Sequence, residues 1–303
     1  MMKTKILCTY GDGKFHETMI EIPPIESTEI QVQNIMTGIC RSDIDMMLGN
    51  FKLLPLHMQG HEGLAQVTAI GDKVTDISVG DVVATRGEPA YADVYNCKHN
   101  TYVKVPAADP KYIVEPVACA INCVKQFETQ IRHKLHNKVK CLIIGSGFLA
   151  SVLYKYMKHK NLQSDITVLG NSNQEFWGEK ITQKLEGRFD LVFDLNTRNE
   201  MFEGDHFNAE AFYVVAAEKE HAINSKLGNL LWHAVTVGFP SPRNKKFIEC
   251  MREAVTLIET GVIDVAQFWS KGYNRQKEWQ KAFADSVQRR PGFNRAYIDW
   301  RQQ

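Results

Sequence analysis

The stretch VKCLIIGSGFLASVLYKYMK, residues 139–158, carries the fold. Its first six residues form an apolar run, broken only by Lys140, that ends at Gly145. In residues 148–158, Leu149, Val152, Leu153 and Tyr156 recur at three- and four-residue intervals, the period of an amphipathic helix. Between strand and helix stands Gly145-Ser146-Gly147-Phe148-Leu149-Ala150, a GxGxxA run. The first glycine permits the tight turn, the second lets backbone approach a pyrophosphate, and Ala150 allows close helix–strand contact. The free N–H groups of the first helical turn, at the positive end of the helix dipole, then face the phosphates. Gly145, Ser146, Gly147, Phe148 and Leu149 are therefore candidate dinucleotide-binding residues.

Further apolar runs follow at 166–169, 189–193, 212–216 and 234–237, separated by helical segments. Continuous rather than alternating hydrophobicity predicts strands covered on both faces, hence a mostly parallel sheet flanked by helices. The run 166–169 leads into Gly170-Asn171-Ser172-Asn173. No Asp or Glu stands there for a ribose 2′-hydroxyl, and no Arg follows for a 2′-phosphate. Asn171 and Ser172 are the candidate contacts at that end, and NAD and NADP both stay open, with a slight lean to NADP. Asp165 lies at the start of the strand, where it cannot reach the ribose.

Upstream, short strand-like runs at 30–34, 64–70, 82–85, 91–95 and 102–105 alternate with turns at Gly71-Asp72, Gly80-Asp81 and Pro106. This is the texture of a β-rich, partly barrel-like domain. Residues 115–127 carry helical spacing. Downstream, a helix over 246–259 stops at Gly261, a C-cap glycine. A strand-like segment over 265–269, a helix around 278–287 and a closing strand over 296–300 follow. A β-rich front, a parallel α/β middle and a mixed tail predict a middle inserted into one domain built from both ends.

A second constellation lies in the front part: Gly38-Ile39-Cys40-Arg41-Ser42-Asp43 and Gly60-His61-Glu62-Gly63. Thiolate and imidazole are natural ligands for zinc, and a carboxylate can complete three protein ligands while the fourth place stays open. One Cys and one His 21 residues apart say little by themselves. Their setting in two longer motifs carries the reading.

GICRSD, GHEG, Val79-Gly80-Asp81, Glu115-Pro116 and the later GxGxxA occur in the order found in the medium-chain dehydrogenase/reductase family, which the chain resembles over almost its whole length. The tail LIETGVID, residues 257–264, resembles that family's helix–Gly–strand transition. The resemblance implies an α/β fold: a GroES-like β-rich catalytic domain, residues 1–123 plus 241–303, with an inserted, somewhat shortened Rossmann-type domain, residues 124–240. It implies one catalytic zinc held by Cys40 and His61 with a carboxylate from Glu62 or Glu115. It makes Ser42 the hydroxyl that passes a proton between substrate oxygen and ribose, and places Arg41 near the pyrophosphate. Asp45 stands where many alcohol dehydrogenases have a relay His, so the outer end of the proton route differs. The closely spaced cysteines of a structural zinc lobe are missing, since residues 86–99 hold only Cys97.

The activity so implied is zinc-dependent, NAD(P)-linked hydride transfer to or from a small-molecule alcohol or ketone, in a homo-oligomer, dimer or tetramer. Two alternatives stand beside it. One is a zinc-free quinone or enone reductase of the same fold. The other is a non-catalytic nucleotide-binding protein, suggested by the short middle domain. Between Leu169 and Phe189 there is room for one helix and little for a further strand, and residues 196–208 are polar without a helical face.

Bulk composition agrees with a two-domain globular chain: 303 residues, 44% apolar and 23% charged. A net charge of +1, from 36 basic and 35 acidic side chains, supplies no electrostatic attraction to nucleic acid or to an anionic membrane. The densest basic stretch, residues 132–140, reads as a solvated helix end or loop. No run reaches the roughly 20 apolar residues of a membrane span, and residues 1–10 lack the apolar core of a secretory signal. Seven scattered cysteines without CxxC spacing read as thiols of a reducing cytoplasm.

Overall fold

The computed structural model describes residues 2–50, 52–135, 139–162, 165–196, 200–202, 204–217 and 227–301. They divide into two compact units, Met1–Ala118 with Met251–Gln303, and Cys119–Cys250. The elements, in chain order, are β1 (Met2–Thr9), β2 (Phe15–Ile22), β3 (Ile30–Gly38), α1 (Arg41–Met47), β4 (Gly63–Ile70), β5 (Val82–Thr85), β6 (Val94–Cys97), β7 (Tyr102–Lys104) and α2 (Glu115–Lys125). Next come α3 (Glu128–Leu135), β8 (Lys140–Ile144), α4 (Phe148–His159), β9 (Asp165–Leu169), α5 (Gln174–Trp177), β10 (Ile181–Thr182), β11 (Phe189–Asp194) and β12 (Phe207–Val215). The last are α6 (Leu227–Trp232), β13 (Thr236–Gly238), α7 (Phe247–Glu259), β14 (Trp269–Asn274), α8 (Trp279–Gln288) and β15 (Arg295–Asp299).

In the first unit, β1 and β2 form an antiparallel hairpin, and a seven-stranded sheet runs β14-β15-β3-β4-β5-β7 with β6 also on β3. The pairing of β15 with the last residues of β3 positions the first motif: Tyr297 lies opposite Gly38, Ile298 opposite Thr37 and Asp299 opposite Met36. Residues near 300 thus come to lie beside residues near 40. Phe15 and Phe283 stack at 3.7 Å between ring centres, and the Tyr91 ring meets both edge-on at 5.6 Å. This aromatic group packs with Ile44 and Met47 of α1 and Ile298 of β15. The helix after Cys40 is thereby fixed to the core.

The second unit holds a six-stranded sheet in the order β10-β9-β8-β11-β12-β13, every pair parallel. Counted from β8, this is the doubly wound order 3-2-1-4-5-6, whose switch point falls between β8 and β11. The Gly145 turn leaves the carboxyl end of β8 there, and a Cβ on Gly145 would lie 3.6 Å from Leu195, just past β11.

Several boundaries differ from the sequence reading, each for a physical reason. The hairpin β1–β2 escapes it, because between its buried ends β2 alternates half-buried and exposed residues with charged side chains between apolar ones. The strand expected over 265–269 begins only at Trp269; residues 266–268 form a 3-10 turn in which Ala266 N–H bonds the Asp264 carboxylate. The middle domain is short yet does find room for a sixth strand, the two residues of β10 against Val168 and Leu169. The polar stretch 196–208 puts Met201, Phe202 and Phe207 into the core, at 0%, 4% and 0% exposure. Residues 197–199 and 203 of that stretch, and 136–138 of the basic one, lie outside the described residues.

Candidate active site

Cys40 caps α1 in extended conformation. Asp43, three residues on, accepts the Cys40 backbone N–H at 3.1 Å, one half of a capping box. Ahead of the neighbouring strand β4, Gly60 turns the chain at φ +78°, where a Cβ would sit 2.7 Å from Tyr91. Glycine alone meets both demands. The turn delivers His61 and Glu62 just before β4. One ligand atom each of Cys40, His61 and Glu62 then falls within 4.8 Å of the others. A thiol, an imidazole and a carboxylate at that spacing form a donor set suited to a borderline-soft cation such as zinc.

The electrostatics point the same way. Burial alone would push the His61 imidazole below its ordinary pKa. Asp43, Cys40 and Glu115 outweigh burial and hold it well above that value. The site therefore favours positive charge at His61, whether proton or metal. Asp43 is itself buried, which raises its carboxyl against the opposing pull of His61. It accepts the Tyr91 hydroxyl at 2.8 Å and lies 3.8 Å from His61 Nδ1.

Glu62 is held from the other side of β3. Both of its oxygens accept from Arg295 Nη2, with side-chain exposures of 1% for Glu62 and 11% for Arg295. Gly38 N–H bonds the Glu62 carbonyl at 2.9 Å, and a Cβ on Gly38 would overlap Glu62 Oε2. The missing side chain is the passage through which carboxylate and guanidinium meet. The Trp269 ring lies against Arg295, 5.1 Å from ring centre to guanidinium.

The other motif residues take separate places. Glu115 opens α2, buried at 3% exposure, and its charge reaches both His61 and Arg295. Among the described residues it is not in the 4.8 Å group. Ser42 is half-buried on α1. Arg41 and Asp45 meet each other, Nε and Nη2 both 2.8 Å from Asp45 Oδ1, so the residue at the relay position is engaged by a cation of its own helix. Asp43, Tyr91, Arg295 and Trp269 were not legible as site residues. Only Asp43 carries a local signal, the Cys40-x-x-Asp43 capping spacing. Arg295 is 233 positions from Glu62.

In the second unit, Gly145 adopts φ +103° and Gly147 is extended at the start of α4, with no side chain capping the helix. A Cβ on Gly147 would meet nothing within 4 Å. Open space above an uncapped helix start suits a pyrophosphate. Ser146 fastens this turn to the loop after β9. Its carbonyl accepts Asn173 Nδ2 and Trp177 Nε1, both at 3.0 Å, and its Oγ accepts the Ser172 N–H at 2.9 Å. Asn171 and Ser172 are exposed, Phe148 is buried and Leu149 is half-buried.

Residues 26–110 match the alcohol dehydrogenase GroES-like domain. Among curated proteins, the chain is 28% identical to L-threonine 3-dehydrogenase of Thermococcus kodakarensis over 27% of its own length and 25% of the relative's. It is 37% identical to D-xylulose reductase of Scheffersomyces stipitis over 27% of its length and 26% of that protein's. The chain thus aligns with about a quarter of these relatives' length. Among solved structures, Staphylococcus aureus TarJ in complex with NADPH superimposes with a TM-score of 0.77 at 17% identity, covering 99% of this chain and all of that one. Residues 26–110 thus carry an alcohol dehydrogenase GroES-like domain, and the chain shares its fold with TarJ. No helix among the described residues is long and apolar enough to cross a membrane.

The Glu62–Arg295 pair yields a direct test. Arg295→Met strands a buried carboxylate and should cost about 3–5 kcal/mol of stability in urea unfolding, whereas adding Glu62→Leu should restore most of it. Equal losses in the single and double variants would show that shape, and not charge pairing, is what the position supplies.

Proposed function

We propose that the chain is a zinc-dependent, NAD(P)-linked dehydrogenase acting on a small alcohol or ketone. The observation that carries this reading is the convergence of Cys40, His61 and Glu62 within 4.8 Å in a field that favours positive charge. Cys40 and His61 would hold one zinc, with Glu62 or Glu115 as third ligand. Arg295 already occupies both Glu62 oxygens, which weakens that carboxylate as a donor and keeps Glu115 in contention. When bound, the ion acts as a Lewis acid that polarises a substrate oxygen. The named relatives, a threonine dehydrogenase and a xylulose reductase, fit a hydroxyl or carbonyl substrate.

The dinucleotide would rest its phosphates on the Gly145–Gly147 turn and the N–H groups of Phe148 and Leu149, with Asn171 and Ser172 at its ribose end. TarJ in complex with NADPH supports NADPH as a ligand of this fold, and the E. coli dehydrogenase of the same fold complexed with NADH keeps NAD open beside it. Ser42 would pass the proton of the substrate hydroxyl, and Asp45, engaged with Arg41, would stand outside that route. We assign residues 1–123 plus 241–303 to the catalytic domain and 124–240 to the nucleotide-binding domain, and expect a homo-oligomer.

Elemental analysis should find one zinc per chain, lost in Cys40→Ser; comparing Glu62→Gln with Glu115→Gln identifies the third ligand. Two zincs, or none after metal-replete expression, would overturn the proposal, and none with intact dinucleotide binding would favour the zinc-free reductase. A screen of alcohols and ketones with NAD(H) and NADP(H) then tests the activity itself, and total inactivity would leave a nucleotide-binding protein.

Ser42→Ala should lower turnover on the order of 10² to 10⁴ while zinc and cofactor still bind, the usual loss for a removed proton-transfer group. Asp45→Asn should be much milder. Near-full activity of Ser42→Ala would make Ser42 a packing residue.

Gly147→Val adds bulk only to open space, so the fold should survive. Dinucleotide affinity should fall at least about tenfold, or about 1.4 kcal/mol. An unchanged cofactor titration would place the phosphates elsewhere.

A further inference from the structure

The end of α8 brings a further cation to the neighbourhood of Cys40. Arg289 follows the last residue of that helix, and the charges of Arg41, Arg295, Cys40 and Asp45 all act on it. These residues belong to the first unit. The core beneath them joins the two helices, Ile44 and Met47 of α1 packing with Ala282 and Phe283 of α8. Of the three guanidiniums, two are committed: Arg295 to Glu62 and Arg41 to Asp45. Arg289 pairs with no carboxylate among the described residues. Its Nε donates to the Ser286 carbonyl at 3.3 Å, and its terminal nitrogens bond nothing there.

This placement is unfavourable for the free protein. The Arg289 guanidinium is held below the ordinary arginine range, first by partial withdrawal from water, then by the like charges of Arg41 and Arg295. Cys40 and Asp45 oppose that shift without cancelling it. The backbone adds to the cost: Arg289 stands in the left-handed region at φ +42°, which glycine or asparagine adopts more easily. A cation suits the carboxyl end of a helix, and that explains the bond to Ser286. It does not explain why the charge is set against two others. Arg289 is exposed, so an anion from solution can reach its terminal N–H groups. A planar guanidinium meets a phosphate or carboxylate with two parallel bonds, and such an anion offsets the crowded charge.

We infer that Arg289 receives an oxyanion, a phosphate or a carboxylate, beside Cys40. Two sources carry that group: an acidic substituent on the substrate, or the phosphates of the dinucleotide. The substrate arm rests on the dehydrogenase reading; the anion site itself does not.

Calorimetric titration with pyrophosphate at low ionic strength reads the site directly. It is done in the Gly147→Val chain, where the turn after β8 no longer competes for the probe. Adding Arg289→Asn, a residue at ease in the left-handed region, should weaken pyrophosphate binding at least about tenfold. Arg290→Asn, at the exposed neighbouring position, should leave it unchanged. Should Arg289→Asn fail to fold, Arg289→Lys carries the same comparison with a smaller loss, since it keeps the charge without the planar fork. Equal binding with and without Arg289 overturns the inference, and so does an equal loss in Arg290→Asn, the mark of general surface charge. The source is then read from Arg289→Asn alone: weaker NADPH binding than in the parent chain assigns the site to the dinucleotide, and unchanged binding assigns it to the substrate. Neither titration needs zinc or turnover, so failure here is distinct from failure of the dehydrogenase reading.

Discussion

The ion pair between Glu62 and Arg295 is the constraint on which the candidate site depends. Removing two charges from water costs several kcal/mol per ion, and only close, well-directed pairing offsets that cost. Each surrounding feature serves the pairing. Gly38 leaves the space between the two groups, the register of β15 on β3 brings Arg295 to that space, and Trp269 covers the guanidinium. Because Glu62 comes directly after His61, whatever fixes the carboxylate also fixes the imidazole's backbone. The strand β15 is thus a structural support of the first motifs.

The same region balances acid against base. Asp43, Glu62 and Glu115 surround one imidazole and one thiol, and Arg295 counters part of their charge. The surplus at His61 is negative, so the imidazole holds its proton more tightly, and a metal ion would compete with that proton for the ring. Tyr91 links this balance to packing: its hydroxyl bonds Asp43 while its ring meets Phe15 and Phe283 edge-on. The orientation of a polar group is set by an apolar core.

The dinucleotide turn obeys a different logic. Ser146 commits its carbonyl and hydroxyl to Asn173, Trp177 and Ser172, which stiffens the loop while leaving the helix start uncapped. A frame stiffened in this way loses little entropy on binding an anion. An Asp or Glu after β9 would fix the ribose; here that turn is used to hold the loop instead.

Much of this was legible in the sequence, and the reason is local. The GxGxxA turn needs φ > 0 at Gly145 and an open face at Gly147, and both are properties of consecutive residues. Cys40 and His61 could be singled out because their ligand chemistry is intrinsic and their flanking glycines mark turns. Helical and strand periods located α4, β8, β9 and β11 because burial on one or both faces writes itself into spacing. The rest was set by tertiary structure. Arg295 meets Glu62 across 233 positions through strand pairing, which no local pattern encodes. Arg41 and Asp45, by contrast, are an i,i+4 pair that α1 by itself brings together. Glu115, 54 positions from His61, adds its charge there through the fold. Motifs declare which atoms are available; the register of β15 on β3 and the burial of the charges between them determine which of those atoms meet.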